Sequence, residues 1–381
     1  MARVAVLHNT LDLRGGADAV CLHVCAALRA DHEVTLYTLS RASPRALGRF
    51  FGVEVGADLR VRTPRGTTLL NRGLDAVADR VGPQLPARSV LLDRFFRREA
   101  GRYDLAVSTA NEFALPLPSV QYVHYPQFRL RRIGEGGRFN PLWTRLAGVD
   151  RLAAGNGSNS GPGSESPPTT LLANSAWTAG VVERLYGRRP AVLHPPVDPI
   201  SDPLPWGERE LGVVTVGRLA PDKRPLTAVR IVEGVRERGH DLHLHVVGSA
   251  SPTYREYTRR VRRAAAERDW VHLEEEASRD RLDDLLRRHR YGLAAKPDEH
   301  FGMAVAEYVA AGMVAFAPDS GGQVDVLDGR PERLFGSVSA AVDRVATAVE
   351  RDDRPSLPRD RFDRERFHRA VRDRVVDTLR R

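Results

Sequence analysis

Two carboxylates, Glu299 and Glu307, stand eight residues apart in the segment EHFGMAVAEYVAAGMVAFAPDSGG, residues 299 to 322. Helix signals begin near Gly302, run through MAVAEYVAA and stop at Gly312, so the first-turn N–H groups point at whatever lies beside Phe301, Gly302 and Met303, and an anion is favoured there. Eight helical residues rise about 12 Å, so Glu299 and Glu307 could grip hydroxyls on either side of a diphosphate held at the helix end. The plainer alternative is a solvated helix residue at 307 and an ordinary N-terminal charge at 299. A second cationic group lies in VGRLAPDKRP, where Arg218 and Lys223 follow a predicted strand and can neutralise a diphosphate. Lys223 and Lys296 are the only lysines among 58 basic residues. A lysine at 223, where the chain otherwise uses arginine, suits a compact point charge on phosphate oxygens. Lys296 matches no motif and is expected at the surface. Gly15 and Gly16 follow the first strand and open a helix, so their N–H groups can approach a phosphate, although the full G-x-G-x-x-G spacing is missing. His124 ends the strand VQYVH, and its neutral imidazole could hydrogen-bond a sugar hydroxyl.

The elements that must position these groups alternate along the whole chain. Short apolar runs (VAVLH, EVTLYT, DLAVST, VQYVH, TLLANS, AVLHP, then LGVVTVG, LHLHVVG, WVHLE, YGLAA, MVAFAP) are separated by helical patterns, which predicts parallel sheets covered by helices. At 381 residues the chain exceeds one ordinary core. The Pro-rich stretch His194 to Trp206 marks a linker between two domains. The expected division is residues 1–200, 207–355, and a C-terminal amphipathic helix over 356–381 with Phe362, Phe367, Val371, Val375 and Leu379 along one stripe. Residues 155–168, GNGSNSGPGSESPP, are expected to form a mobile surface loop.

Composition narrows the function classes. The formal charge is +9 with pI near 10, which suggests an anionic partner. No helix-turn-helix, zinc finger or aromatic-interleaved basic run supports nucleic acid. Cys21 and Cys25 are the only cysteines, expected as buried thiols, and no metal-ligating set is expected. No signal-peptide pattern or membrane-spanning run is present, so a cytoplasmic protein is expected, peripheral on the inner face of the membrane. Mixtures of arginine and apolar residues at 91–103 and 128–152 suit an anionic membrane surface.

Five segments in order, RGGADAV, YVHYP, ANSAWTAGVVERLYG with HPPVD, VGRLAPDKRP and EHFG…VAEYVAAG…SGG, resemble the retaining glycosyltransferases of GT-B fold, family 4, over roughly residues 1 to 330. The last segment looks like the family's E-x7-E signature and is especially similar to that of its α-1,2-mannosyltransferases of lipid-linked oligosaccharides. The resemblance implies two Rossmann-like domains facing across a cleft, with a C-terminal helix crossing back to the first domain. It assigns Arg218 and Lys223 to the donor phosphates, with Gly15, Gly16, Phe301, Gly302 and Met303 nearby, Glu307 to the nucleotide ribose, and His124 and Glu299 to the transferred sugar. Asn174, Ser175 and Asp198 are expected to be structural. The implied reaction moves a hexose, mannose from GDP-mannose favoured, to a glycan or polyprenyl-phosphate-linked acceptor with retention, without a metal or other cofactor. A nucleotide-sugar epimerase on the same architecture, or a non-enzymatic basic protein for nucleotides or anionic lipid, remains open.

Overall fold

The computed structural model describes residues 1–13, 15–40, 42–64, 85–137, 139–153 and 167–381. Residues 155–166 of the expected loop lie outside the described residues. The chain divides into one unit formed by 1–196 with 364–381 and another formed by 197–363, so the change of unit falls inside the Pro-rich stretch.

The first unit contains a seven-stranded sheet: β1 (Arg3–His8), β2 (Glu33–Thr38), β3 (Arg60–Arg62), β4 (Leu105–Ser108), β5 (Ser119–Val123), β6 (Thr169–Ala173) and β7 (Ala191–Val192), in the order β3-β2-β1-β4-β5-β6-β7. Every pairing is parallel. Central strands such as RVAVLH are buried on both faces, which explains their unbroken apolar character. The run AVLHP supplies only two strand residues, because its prolines have no N–H for a ladder. Cys21 and Cys25 are free and buried in the core between β1 and the helix Gly16–Arg29.

The C-terminal helix spans Arg364–Leu379 and belongs to the first unit, where Phe367, Val371 and Val375 are buried in the same core as Cys21 and Cys25. Phe362 is not part of that stripe: it precedes the helix and packs in the second unit, its ring edge-on to Phe301 with centroids 5.5 Å apart.

The second unit has β8 (Glu210–Val216), β9 (His243–Gly248), β10 (Val271–Glu275), β11 (His289–Leu293), β12 (Val314–Pro318) and β13 (Leu334–Phe335), in the order β10-β9-β8-β11-β12-β13, all parallel. Both sheets therefore have the doubly wound Rossmann order, and the GT-B plan of two such sheets is present. In each, the winding direction reverses between two central strands, β1 and β4 or β8 and β11. The loops leaving the carboxyl ends of those strands diverge there, and ligands of such sheets bind in the resulting crevice.

Two local devices set the loops near these reversals. In the first unit, Asn111 has φ 69° and its Oδ1 accepts N–H bonds from His124 at 2.7 Å and Tyr125 at 3.1 Å. The neighbouring Glu112 is buried and its Oε1 accepts from Gln127 N, Phe128 N and the Tyr186 hydroxyl, each at 2.9 Å. In the second unit, Tyr308 lies against Gly292 of β11, where any Cβ would stand 2.2 Å from the Tyr308 ring. The Tyr308 hydroxyl in turn accepts the Val216 N–H at 2.8 Å, tying the helix Met303–Ala310 to the end of β8.

Gly292→Ala is therefore expected to cost about 1–3 kcal/mol by overpacking, read as a lower urea midpoint at unchanged slope. Burial raises the Glu112 carboxyl from 4.5 to about 7. A raised carboxyl contributes stability that is complete below the unfolded value and is lost as pH rises through the folded one. Glu112→Gln stays neutral, so its melting temperature should gain on the wild type as pH rises from about 5 to about 8; a constant gap would exclude an ionising Glu112.

Candidate functional site

The second unit's candidates gather beyond the carboxyl ends of β8 and β11, the two strands at its reversal. Leaving β8, the chain enters a tight loop through Gly217, whose N–H bonds Val247 O at 3.0 Å. The facing Gly248 makes this possible, because a Cβ there would stand 1.9 Å from the Gly217 carbonyl oxygen. Lys223 folds back over Gly217 and contacts Glu299 Oε1, while Lys296 Nζ lies 3.4 Å from Glu299 Oε2. Each of the chain's two lysines thus engages one oxygen of the same carboxylate. Arg218 and Lys296 both approach Asp222 Oδ2, at 3.4 and 3.8 Å. Three cations and two carboxylates share this patch, leaving a formal excess of one positive charge.

Electrostatics keep the patch ionised. Burial pushes the Glu299 carboxyl up, but Lys223 and Lys296 together outweigh it and hold the group below its ordinary range. His300, beside it, is lowered to about 4 by burial and then by Lys296, which leaves its imidazole neutral. Lys296, expected at the surface, is instead a member of the cluster, with a quarter of its side chain exposed. Its signal was in the sequence: it is the other lysine in an arginine-rich chain, three residues before Glu299.

Backbone geometry brings Glu299 to the helix end. Asp298 has φ 54° and Gly302 φ 102°, so the chain reverses twice before the helix starts at Met303. The segment crosses Ser320–Gly322 at backbone contact: Gly322 N donates to Glu299 O at 2.6 Å and Asp298 N to Ser320 Oγ at 3.0 Å. A Cβ at Gly321 would stand 2.5 Å from Glu299 O, and one at Gly322 2.3 Å from His300 O. The two glycines are required for that crossing. Phe301 turns its side chain into the core, so what it can present to a ligand at the helix N-terminus is main chain, while Met303 packs only partly against the same core.

Glu307, in the middle of this helix, is paired with Arg279: Arg279 Nη1 lies 2.6 Å from Glu307 Oε1, and Nη2 lies 2.7 Å from Asp283 Oδ1. Sequence reasoning missed Arg279, which lies far away in the chain and is one arginine among many.

In the first unit, Gly15 and Gly16 follow β1 and His124 follows β5, all at the carboxyl end of that sheet. Gly15 caps the helix Gly16–Arg29, its N–H bonding Asp18 Oδ2 at 3.1 Å. Asp18 Oδ1 also lies 3.0 Å from Nε2 of the buried His8, whose Nδ1 faces Thr109 O at 3.1 Å. This His8–Asp18 pair, which no motif reveals, anchors the glycine turn. Among the described residues nothing lies within 4 Å of a Cβ built at Gly15, so the space before it is open. Asn174 Nδ2 donates to His124 O at 3.0 Å and Ser175 caps the helix Ala176–Tyr186, so both shape the chain around His124.

Of the two arginine-rich apolar segments, 91–103 turns its apolar side inward, with Leu92 and Phe96 buried. The second exposes Phe139, Leu142 and Leu146, at 56, 50 and 40 %, near the exposed Arg131, Arg132 and Arg145. Among the described residues no helix is long and apolar enough to cross a membrane.

Residues 197–352 match the family model for glycosyl transferases group 1. The chain is 25% identical over 196 residues to the GDP-Man:Man(3)GlcNAc(2)-PP-Dol alpha-1,2-mannosyltransferase of Mus musculus, covering 47% of this chain and 40% of that protein. It spans about 40% of the length of the curated relatives it matches. The fold is shared with Anabaena Alr3699/HepE in complex with UDP and glucose, at TM-score 0.68 and 14% identity over 99% of this chain and 100% of that one. It is also shared with WaaG, a glycosyltransferase involved in lipopolysaccharide biosynthesis, at TM-score 0.63 and 14% identity over 99% of both chains. Arg218, Lys223, Lys296, Glu299 and Glu307 all lie inside the segment that is similar to the glycosyl transferases group 1, and the chain as a whole has the GT-B fold.

Proposed function

We propose that this chain is a retaining hexosyltransferase that takes mannose from GDP-mannose, without a metal, and delivers it to a hydroxyl of a polyprenyl-phosphate-linked glycan at an anionic membrane surface on the cytoplasmic side. The observation that carries the reading is the convergence of Lys223 and Lys296 on Glu299 beside a helix N-terminus. Each ammonium has three donors, so a lysine can hold Glu299 and a phosphate oxygen together. As the bond from the anomeric carbon to the phosphate breaks, its electron pair stays on the departing diphosphate. Cations already in place there, Arg218, Lys223 and Lys296, stabilise that charge without reorganising. Phe301, Gly302 and Met303 add main-chain N–H groups and the positive end of the helix.

Glu299, kept ionised by its lysines, accepts hydrogen bonds from hydroxyls of the transferred sugar. Glu307 accepts from the ribose, with Arg279 fixing the direction of its carboxylate. His124, at the end of β5, is the first unit's candidate for a sugar hydroxyl, and Gly15 and Gly16 are its candidates for phosphate. Retention follows front-face attack: the acceptor oxygen bonds to the anomeric carbon on the side the diphosphate leaves, and the acceptor proton passes to the departing phosphate oxygen. Mannose and a lipid-linked acceptor are favoured by the name of the mannosyltransferase relatives. The membrane surface is favoured by Phe139, Leu142 and Leu146 exposed near arginines. Fold neighbours solved with UDP make a uridine donor the specific competitor.

In a thermal-unfolding panel with GDP, UDP, ADP and CMP, GDP should give the largest stabilisation, about 2.7 kcal/mol at 100 times its dissociation constant, unchanged by EDTA. A UDP-selective shift would move the donor to a uridine sugar, and no shift with any nucleotide would overturn the transferase reading. Glu299→Ala removes the counter-charge of two lysines, so nucleotide diphosphate affinity should hold or rise while turnover falls by about 100-fold or more. Equal losses in binding and turnover would contradict the separate roles given to the lysines and Glu299.

A further inference from the structure

At the opposite ends of the second unit's strands, four histidines collect that the donor site does not use. His243 opens β9, His245 follows two residues later, His289 opens β11, and His272 lies on β10 in register with His245. Glu210 opens β8 in register with His289. Along the seven residues of β8 this edge is about 20 Å from the carboxyl end that precedes Arg218.

The cluster has the chemistry of a ligand set. One ligand atom from each of His243, His245 and His289 lies within 4.8 Å of the other two. His289 Nδ1 lies 2.7 Å from Leu285 O, and a carbonyl only accepts, so Nδ1 carries the proton and Nε2 the lone pair. That Nε2 is 2.9 Å from His243 Nε2, and Glu210 Oε2 lies 3.5 Å from both nitrogens. Arg288 fixes Glu210 through Oε1, at 2.9 Å from Nε and 2.7 Å from Nη2, and Glu274 lies 3.1 Å from His245 Nδ1. Such outer partners orient ligating imidazoles and carboxylates.

Space is reserved as well. A Cβ at Gly212 would stand 2.3 Å from His243 Nε2, so glycine at that point of β8 admits the ring. Glu210, His243, His245 and His272 line a cleft of about 550 Å³, with His289 buried behind them.

We infer that His243, His245 and His289, with Glu210 as the fourth ligand, form a binding site for a divalent transition-metal ion, best suited to zinc, that clasps the starts of β8, β9 and β11. Three imidazoles and a carboxylate match zinc's preferences, and zinc–nitrogen bonds of about 2.0–2.1 Å place tetrahedral ligand atoms about 3.3 Å apart; the His243 and His289 nitrogens at 2.9 Å open slightly to reach this, Glu210 at 3.5 Å from both closes slightly, and the His245 ligand atom moves in from within 4.8 Å. The role is structural, since the ion sits at the far ends of the strands from Glu299. Sequence reasoning expected no metal ligands, and no ligand motif shows because His243 and His289 are 46 residues apart.

The test uses the untagged full chain, stripped with chelator and titrated with Co²⁺ alone, followed by the visible absorption of four-coordinate cobalt and its loss on adding Zn²⁺. One ion per chain is expected, with affinity reduced at least about tenfold in His289→Gln and Glu210→Gln, and a zinc-induced rise in melting temperature in the wild type only. X-ray absorption of the zinc-loaded wild type should show three imidazole shells, which answers the question even if a variant fails to fold. No stoichiometric cobalt binding, or zinc without imidazole scattering, would overturn the site. Nucleotide-induced stabilisation, measured from the same stripped protein, should be unchanged in both variants, so failure here stays separate from failure of the donor site.

Discussion

Glu299 is held between two lysines at the point where the second sheet reverses its winding, and the rest of the candidate site is arranged to keep that contact. A buried carboxylate alone would be driven toward protonation. Lys223 and Lys296 prevent this by engaging one oxygen each. The arrangement needs three close approaches that only glycine permits: Gly248 under the Gly217 carbonyl, and Gly321 and Gly322 under the Glu299–Phe301 backbone. The SGG at the end of the signature is thus a backbone crossing that supports the glutamate from below.

Much of this was legible from residue order. Parallel sheets announce themselves through apolar runs buried on both faces, and the two glutamates, Arg218 and Lys223 were visible because a helix start and a strand-to-helix loop have local signals. The boundaries of the helix Met303–Ala310 follow from Gly302 and Gly312, both with positive φ. The C-terminal helix was recognisable by its apolar stripe, and burial against the first unit's core accounts for Phe367, Val371 and Val375.

What escaped was set by tertiary contact. Lys296 has no motif and joins the cluster only because β11 lies beside β8. Arg279 reaches Glu307 from another helix. Asn111 and Glu112, which shape the turn carrying His124, sit after a strand of unremarkable sequence and act through main-chain hydrogen bonds. Phe362 falls on the periodicity of the last helix but lies before its start, showing that a stripe in sequence does not locate a helix boundary. The short strands β3 and β13 carry two or three residues each, too few for any pattern.

Two lysines on Glu299, with Arg218 on the adjoining Asp222 and a helix N-terminus beside them, are proposed to receive a diphosphate, and the most direct test is a crystal structure of the chain grown with GDP and, separately, with UDP. The diphosphate is expected within hydrogen-bond distance of Lys223, Arg218 and the N–H groups at Gly302 and Met303, with the ribose hydroxyls on Glu307. A nucleotide bound elsewhere on the second unit, with Lys223 and Lys296 still engaged only by Glu299, would contradict that assignment.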